Sequence, residues 1–356
     1  MRSIYFILLG VICIVTSQAQ DIHFSQFYMS PLNLNPAFTG VMNNTQRFTG
    51  NYRNQLASVL KSNAFKTYSF SYDQKIAVGR HDYFGIGGTL WGDVAGEADF
   101  KTIQGKISGS YSRRVAGDRT TAHYLVAGAD IGISQRSLDF MKLRFGTQHD
   151  GEGRFDEDIA SGEYFTRDNF TFLDISAGLL WFSVLDKNSN FYGGAAFRHL
   201  NRPNVSFTHD SIVPVYSLYT FHAGGEWGFA QDVSLVPGFV AFKQGPSLLI
   251  NFGSAIRFAL AQDRNTSNTF QVGAWMRLVN NYIFVDAEGN GKLTRLGPDA
   301  VILFTKIEFQ NIGLGFSYDW NISDLRVASN GNGSIEFSIV YTIDAFGSRG
   351  VYCPQF

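Results

Sequence analysis

This chain has little with which to staple itself together. Of its 2 cysteines among 356 residues, Cys13 lies in the leading apolar run and Cys353 close to the end, so no internal disulfide can form once a leader is removed. Charge is scarce too, at 17% of residues against roughly 25% in an ordinary soluble domain. The charges nearly cancel, leaving a formal net charge of −1, which argues against a nucleic-acid partner because such binding needs a basic face. After the leader no run of about 18 uncharged apolar residues occurs, so no membrane-spanning helix is expected.

What the chain does have is glycine and aromatics, with 37 glycines, 33 phenylalanines and an aromatic content of 15%. Arg2 followed by the apolar run Ile4–Val15 and by Ser17-Gln18-Ala19 has the layout of a signal peptide. We therefore expect a leader over 1–19 and an exported chain starting at Gln20. Cys13 sits inside the apolar core of that leader, where no lipid would be attached. An exported chain poor in charge, rich in aromatics and without a spanning helix has two solutions, a secreted all-β domain or a closed membrane barrel.

The alternation of side chains chooses between them. In "YTFHAGGEWGF" one face carries Tyr219, Phe221, Ala223, Trp227 and Phe229, and the other Thr220, His222, Gly224, Glu226 and Gly228. In "IGLGFSYDW" Ile312, Leu314, Phe316, Tyr318 and Trp320 oppose Gly313, Gly315, Ser317 and Asp319; "SIEFSIVYTI", "KTIQGKISGSYS" and "TFQVGAWMRL" repeat the pattern. A soluble sandwich would turn the apolar face inward, whereas an outer-membrane barrel turns it to lipid. Runs of about nine to twelve residues suit a tilted strand crossing a bilayer. Aromatics at strand ends (Tyr219, Phe229, Tyr318, Trp320, Trp91, Trp181) fit interfacial girdles, and the Gly/Ser face with single charges fits a crowded lumen. The expectation is an all-β, transmembrane antiparallel outer-membrane β-barrel of about 14 strands.

The strands are expected at 46–56, 65–76, 83–93, 100–115, 122–135, 171–184, 191–201, 219–230, 233–245, 247–260, 269–280, 300–310, 312–320 and 334–343. With both ends in the periplasm, short inner turns (77–82, 116–121, 186–190, 231–232, 261–268, 311) alternate with outer connections, the long ones being 136–170, 202–218, 281–299 and 321–333. Pro237 would remove a ladder hydrogen bond, so a local bulge is expected there. The domain plan is a leader at 1–19, an N-terminal plug or docking segment at 20–45, the barrel at 46–343 and a periplasmic tail at 344–356. Tyr341 or Phe356 could supply the aromatic of an assembly signal.

The segment "HFSQFYMSPLNLNPAFTG" (23–40) has neither strand nor long-helix rhythm. Ser30-Pro31 and Asn35-Pro36 each read as an N-cap followed by proline at the first helical position, and Gly40 as a stop. Two helical turns joined by an extended link would form a compact apolar unit at the periplasmic mouth or in the lumen. It either seals the barrel or docks a partner. The candidate partner-binding residues are Phe24, Phe27, Tyr28, Pro31, Leu34, Asn35, Pro36 and Phe38.

"FSQFYMSPLNLNPAFTG" directly after a signal peptide, together with "NISDLR" (321–326), "GSIEFSIVY" (333–341) and the final "CPQF" (353–356), resembles the PorP/SprF family of the type IX secretion system of Bacteroidetes. The resemblance implies a barrel in the outer membrane that works with the secretion and gliding machinery. It would help to export or anchor a large surface protein, often an adhesin, through a type-B C-terminal sorting domain. Other implied partners are periplasmic or lipoprotein components of the apparatus, besides outer-membrane lipid.

Chemistry is sparse. "DAEGNGKLTRLG" (286–297) starts like a calcium loop with Asp286, Glu288, Asn290 and Gly291, but its twelfth position is Gly297 instead of the bidentate glutamate, so no metal is assigned. The carboxylates of "DGEGRFDEDIASGE" (150–163) read as a solvated loop. The 7 histidines are scattered, no pair has metal-ligand spacing and no Gly-x-Ser-x-Gly elbow occurs. No enzyme activity and no cofactor are expected. Asp130, Asp174, Arg198, Glu226, Arg257, Arg277, Lys306, Glu308 and Glu336 are expected on the lumen face, compensating one another or lining water. The competing reading to a secretion partner is a general diffusion porin.

Overall fold

The computed structural model describes residues 21–343, apart from 80, 119–120, 150–153, 157, 164, 187–188, 209–210, 264–265 and 283–292. The leader, Gln20, the tail with Cys353 and Phe356, the calcium-like positions 286–291 and part of the 150–163 cluster lie outside these residues.

Fourteen antiparallel strands close into a barrel in which each strand pairs with its sequence neighbours and the last pairs with the first. They are β1 (Gln46–Gln55), β2 (Phe65–Val78), β3 (Asp82–Ala95), β4 (Phe100–Ala116), β5 (Ala122–Ser137), β6 (Asn169–Val184), β7 (Ser189–Arg198), β8 (Leu218–Ala230), β9 (Val233–Gln244), β10 (Ser247–Asp263), β11 (Thr266–Tyr282), β12 (Leu293–Phe309), β13 (Ile312–Asn321) and β14 (Asn332–Ile343). Closure comes from Gln46–Gln55 running in register against Ile343–Ser334. It satisfies the backbone groups that an open edge would leave bare in lipid.

The period-two pattern becomes a two-sided wall. Ile107, Ile133, Leu179, Phe221, Leu314, Phe316 and Phe337 are exposed on the outside, while their strand neighbours Ser108, Ser134, Leu180, His222, Gly313, Ser317 and Glu336 are buried within. Trp181, Trp227, Phe229 and Phe309 are exposed near one rim and Tyr219 and Trp320 near the other. Trp91 departs from the expected girdle. It points inward, buried, and its indole N–H donates to Gln104 Oε1 at 2.8 Å.

Two boundary expectations change. The 261–268 turn shrinks to the two positions between β10 and β11. The 281–299 connection loses its second half because β12 starts at Leu293, with Leu296, Gly297 and Pro298 paired to Asn280, Val279 and Leu278. Pro298 is tolerated because β13 ends at Asn321, opposite Ala300, so no neighbour on that side awaits its missing N–H. At Pro237 there is no bulge. Pairing passes from Gly224–Gly238 to Trp227–Leu235 in one register, skipping the positions opposite the proline, and the register shift falls at Gly228/Ala230.

All connections at the mouth where β1 begins are short, such as 231–232 and 310–311; the opposite mouth carries the long ones, 138–168 and 199–217. These long connections fold onto each other through Phe140, which stacks on Phe165 at 3.9 Å and meets Phe207 edge-on at 5.6 Å.

Candidate functional site

The 25 residues before β1 do not stay at the short-turn mouth; they run the length of the lumen. Near that mouth Lys75 Nζ donates to the carbonyls of Met42 and Asn43, and Asp73 accepts from the Gly40 N–H at 2.7 Å. Midway, Asn35 Nδ2 donates to the carbonyls of Leu179 and Ala195, and Asn51 donates to Met29 O at 3.1 Å. Further on, one carboxylate, Glu336, accepts the N–H groups of both Ser25 (2.7 Å) and Gln26 (2.9 Å). At the long-loop mouth the Asp21 N–H donates to Gln244 at the end of β9.

The sequence dictates the kinks of this thread. Asn35 caps the 3-10 turn Pro36–Phe38, its Oδ1 accepting from Ala37 N at 2.8 Å, and Pro36 pre-sets the first turn. Ser30 precedes the single α-turn Pro31–Leu34 without capping it; its hydroxyl accepts from Asn33 Nδ2 instead. A third turn, Phe27–Met29, completes the fold of the segment. Gly40 takes φ +71°, a left-handed conformation that glycine adopts freely. Wall glycines make room for the backbone: a Cβ on Gly128 would stand 2.6 Å from Ala37 Cα, and one on Gly178 would collide with the Asn35 side chain.

Aromatic packing fills the space left. Phe27 lies 5.5 Å from Trp275, Tyr28 lies 5.4 Å from Phe304, and Trp275 stacks on Phe304 at 5.1 Å. Phe38 packs on His222 at 4.9 Å. Below it Tyr83, Tyr124 and Phe182 form a buried layer near the short-turn mouth. Of the eight candidate partner-binding residues, Phe24, Phe27, Pro31, Leu34, Asn35, Pro36 and Phe38 are buried and Tyr28 is half-buried. In this state they contact the barrel's own wall and present no surface at either mouth.

The nine expected lumen charges all sit on inward faces, in groups. Arg257 donates to Glu226 at 2.7 Å and to Glu308 at 2.9 Å, and Lys306 reaches Glu308 at 2.9 Å. Arg277 meets Asp319 at 2.7 Å, and Arg53 lies 3.3 Å from Asp319 and 3.7 Å from Glu336. Both arginines also donate to Ser25 Oγ. Lys106 bridges Asp130 and Asp174. Arg47 clamps Asp73 with two hydrogen bonds and also donates to the carbonyls of Phe38 and Val41. Arg47, Arg53, Asp73 and Asp319 were not among the candidates, although the alternation of β1, β2 and β13 puts all four on the lumen face.

At the long-loop mouth the expected Asp174 and Arg198 are joined by two groups that were not among the candidates, Asp21 and His199. His199, just past β7, turns Nδ1 to Asp174 at 2.8 Å and Nε2 to Asp21 at 2.7 Å, which only the doubly protonated ring can satisfy. Burial alone would lower its pKa, but the Asp21 and Asp174 carboxylates outweigh that and push it up to about 9. Burial likewise works to raise Asp21, yet His199 and Arg198 hold it well below the usual carboxylate range. Among the described residues no cluster of three or more His, Cys, Asp or Glu is arranged to hold a metal.

A closed fourteen-strand barrel with a lipid-type apolar exterior and a lumen occupied by its own N-terminal segment defines the class: an outer-membrane barrel protein. The chain matches the family described as type IX secretion system membrane protein PorP/SprF over residues 16–341, and it belongs to that family. Comparison with curated proteins finds no match. Among solved structures it is similar to the Ralstonia pickettii toluene transporter TbuX (11% identity, 88% of this chain and 93% of that chain, TM-score 0.45). It is also similar to a TodX deltaS2S3 mutant monoaromatic hydrocarbon channel (8% identity, 91% and 95%, TM-score 0.46), and to CdiB from Acinetobacter baumannii (8% identity, 83% and 60%, TM-score 0.42).

Proposed function

We propose that this barrel holds a large secreted surface protein, an adhesin, at the cell exterior through that protein's type-B C-terminal domain, in concert with periplasmic or lipoprotein components of the secretion and gliding apparatus. The single observation that carries the reading over a diffusion porin is the filled lumen. Asp174, Ser176, Thr220, Asn251, Ser317 and Glu336, all facing inward, have essentially no solvent exposure, whereas a porin needs a wet channel. Family membership supports the same reading. The long-loop mouth is taken as the cell exterior, because barrels place their short turns in the periplasm. There, Met141, Ile212 and Val327 stand 93%, 84% and 85% exposed, apolar tips available to a partner. No catalytic role is proposed.

Co-purification from native membranes tests this. A large surface protein should come down with the barrel and be lost when its C-terminal domain is deleted; steady ion conduction in planar bilayers with no such partner would favour the porin instead. Residues 20–45 are proposed as a plug first. A docking role for them requires the thread to leave the lumen, so deleting 23–40 should leave assembly intact and weaken partner retention. Failure of that deletion to reach the outer membrane would make the segment purely structural.

A further inference from the structure

We propose that Arg198 and His199 form a carboxylate-binding site at the long-loop mouth, filled at rest by the chain's own Asp21 and open to exchange with a carboxylate on an incoming peptide segment. It stands on geometry alone and does not require the secretion reading.

Three observations carry it. First, the thread brings Asp21 into this site: Asp21 lies at the opposite mouth from Gln46, where β1 begins, so an acidic side chain is delivered to the one rim where long connections gather. Second, Asp21 uses the site incompletely. Its contacts to His199 Nε2 (2.7 Å) and Arg198 Nη1 (4.0 Å) both go through the same oxygen, Oδ2. Third, Arg198 Nη2 is buried with no hydrogen-bond partner, on a side chain only 7% exposed. A guanidinium is a fork that matches a carboxylate with two parallel hydrogen bonds, and here half of the fork is idle.

The imbalance has a physical cause. Asp21 is tethered: its own N–H is held by Gln244, and two residues on Arg53 holds the carbonyl of His23. The backbone thus fixes how far the carboxylate can reach. A carboxylate free of that tether can settle on both Arg198 nitrogens while keeping the His199 contact. A buried donor left unmade costs free energy, which favours the exchange. His199 is anchored from behind by Asp174, so the ring stays oriented when Asp21 leaves. The neighbouring cleft mixes the apolar Ile22, Leu218, Phe242 and Leu249 with the polar His23, Gln244 and Ser247.

The probe is N-acetylaspartic acid α-amide, added at pH 7 to the detergent-solubilised full chain carrying isotope-labelled histidine, with the His199 imidazole signal followed by NMR. In Asp21→Ala the probe should shift that signal saturably, with half-saturation about ten-fold lower than in the unmodified protein. N-acetylasparagine α-amide should have no effect, and Arg198→Gln added to Asp21→Ala should abolish the response. N-acetylglycine reports whether a main-chain carboxylate serves as well as a side-chain one. Asp21→Asn, which keeps the side-chain volume, serves as the second background should Asp21→Ala fail to fold. Equal response to the neutral amide, equal half-saturation with Asp21 present, or no response in either background would overturn the site.

Discussion

Between Asp21 and Met29 the thread is held by charge: His199 and Arg198 pair with Asp21, and Arg53, Arg277, Asp319 and Glu336 bond the backbone and the Ser25 hydroxyl. Between Ser30 and Gly40 it meets mostly glycines, aromatic rings and the carbonyls of β6 and β7, with Asp73 and its partner Arg47 as the charged exceptions. The first half is gripped by charge and the second by shape. A charge grip acts over several ångströms and responds to protonation; a packing grip acts only at contact and responds to volume. One segment thus carries a responsive end and a fixed end.

The largest effect should come from removing the hub of the charged half. Asp319→Ala leaves the buried Arg53 and Arg277 with only the more distant carboxylates of Glu336 (3.7 Å) and Asp299 (3.8 Å), and losing one partner of a buried pair costs about 3–5 kcal/mol. Urea unfolding of the detergent-solubilised barrel should show that loss. A thiol reagent should reach Ser25→Cys faster in that background while Thr39→Cys stays protected. Equal gains at both cysteines would show that the halves are one unit.

Next is the packed half. Gly128→Val drives methyl groups into the Ala37 backbone, an overpacking worth about 1–3 kcal/mol. Thr39→Cys should become reactive and Ser25→Cys should not; the opposite order would reverse the assignment of grips.

The smallest effect is a pH response confined to the long-loop mouth. His199 carries a pKa raised to about 9 from an ordinary 6.5, so its contribution to stability is fully present below about 6.5 and is lost as pH rises through about 9. The groups facing it are Asp21 and Asp174, with Arg198 and Lys106 beside them. Stability measured between pH 6 and 10 should fall in that window and flatten in His199→Gln. A fall that persists in the variant would assign it to another group.

The strands were legible because lipid outside and a filled lumen inside impose opposite demands on alternate residues, and a run such as Ile312–Trp320 can satisfy both in only one way. The start of β12 was not legible: Gly297-Pro298-Asp299 reads as loop, and the strand persists only because β13 stops short beside it. Trp91 reads as a membrane aromatic by residue type, but its position in the alternation sends it inward. The clasp of Asp21 by His199 was invisible, since 178 residues separate them and nothing local links the two.

The sequence by itself determined the barrel, its number of strands, which side of each strand meets hydrocarbon, and that 23–40 would be kinked and apolar, because these follow from local periodicity, proline and glycine. Only the tertiary structure decided that the segment passes through the lumen to the far mouth, which charges pair across it, and that Arg198 keeps idle donors beside Asp21. Those outcomes depend on closing a ring of fourteen strands around the thread, and closure brings together groups that no stretch of chain carries side by side.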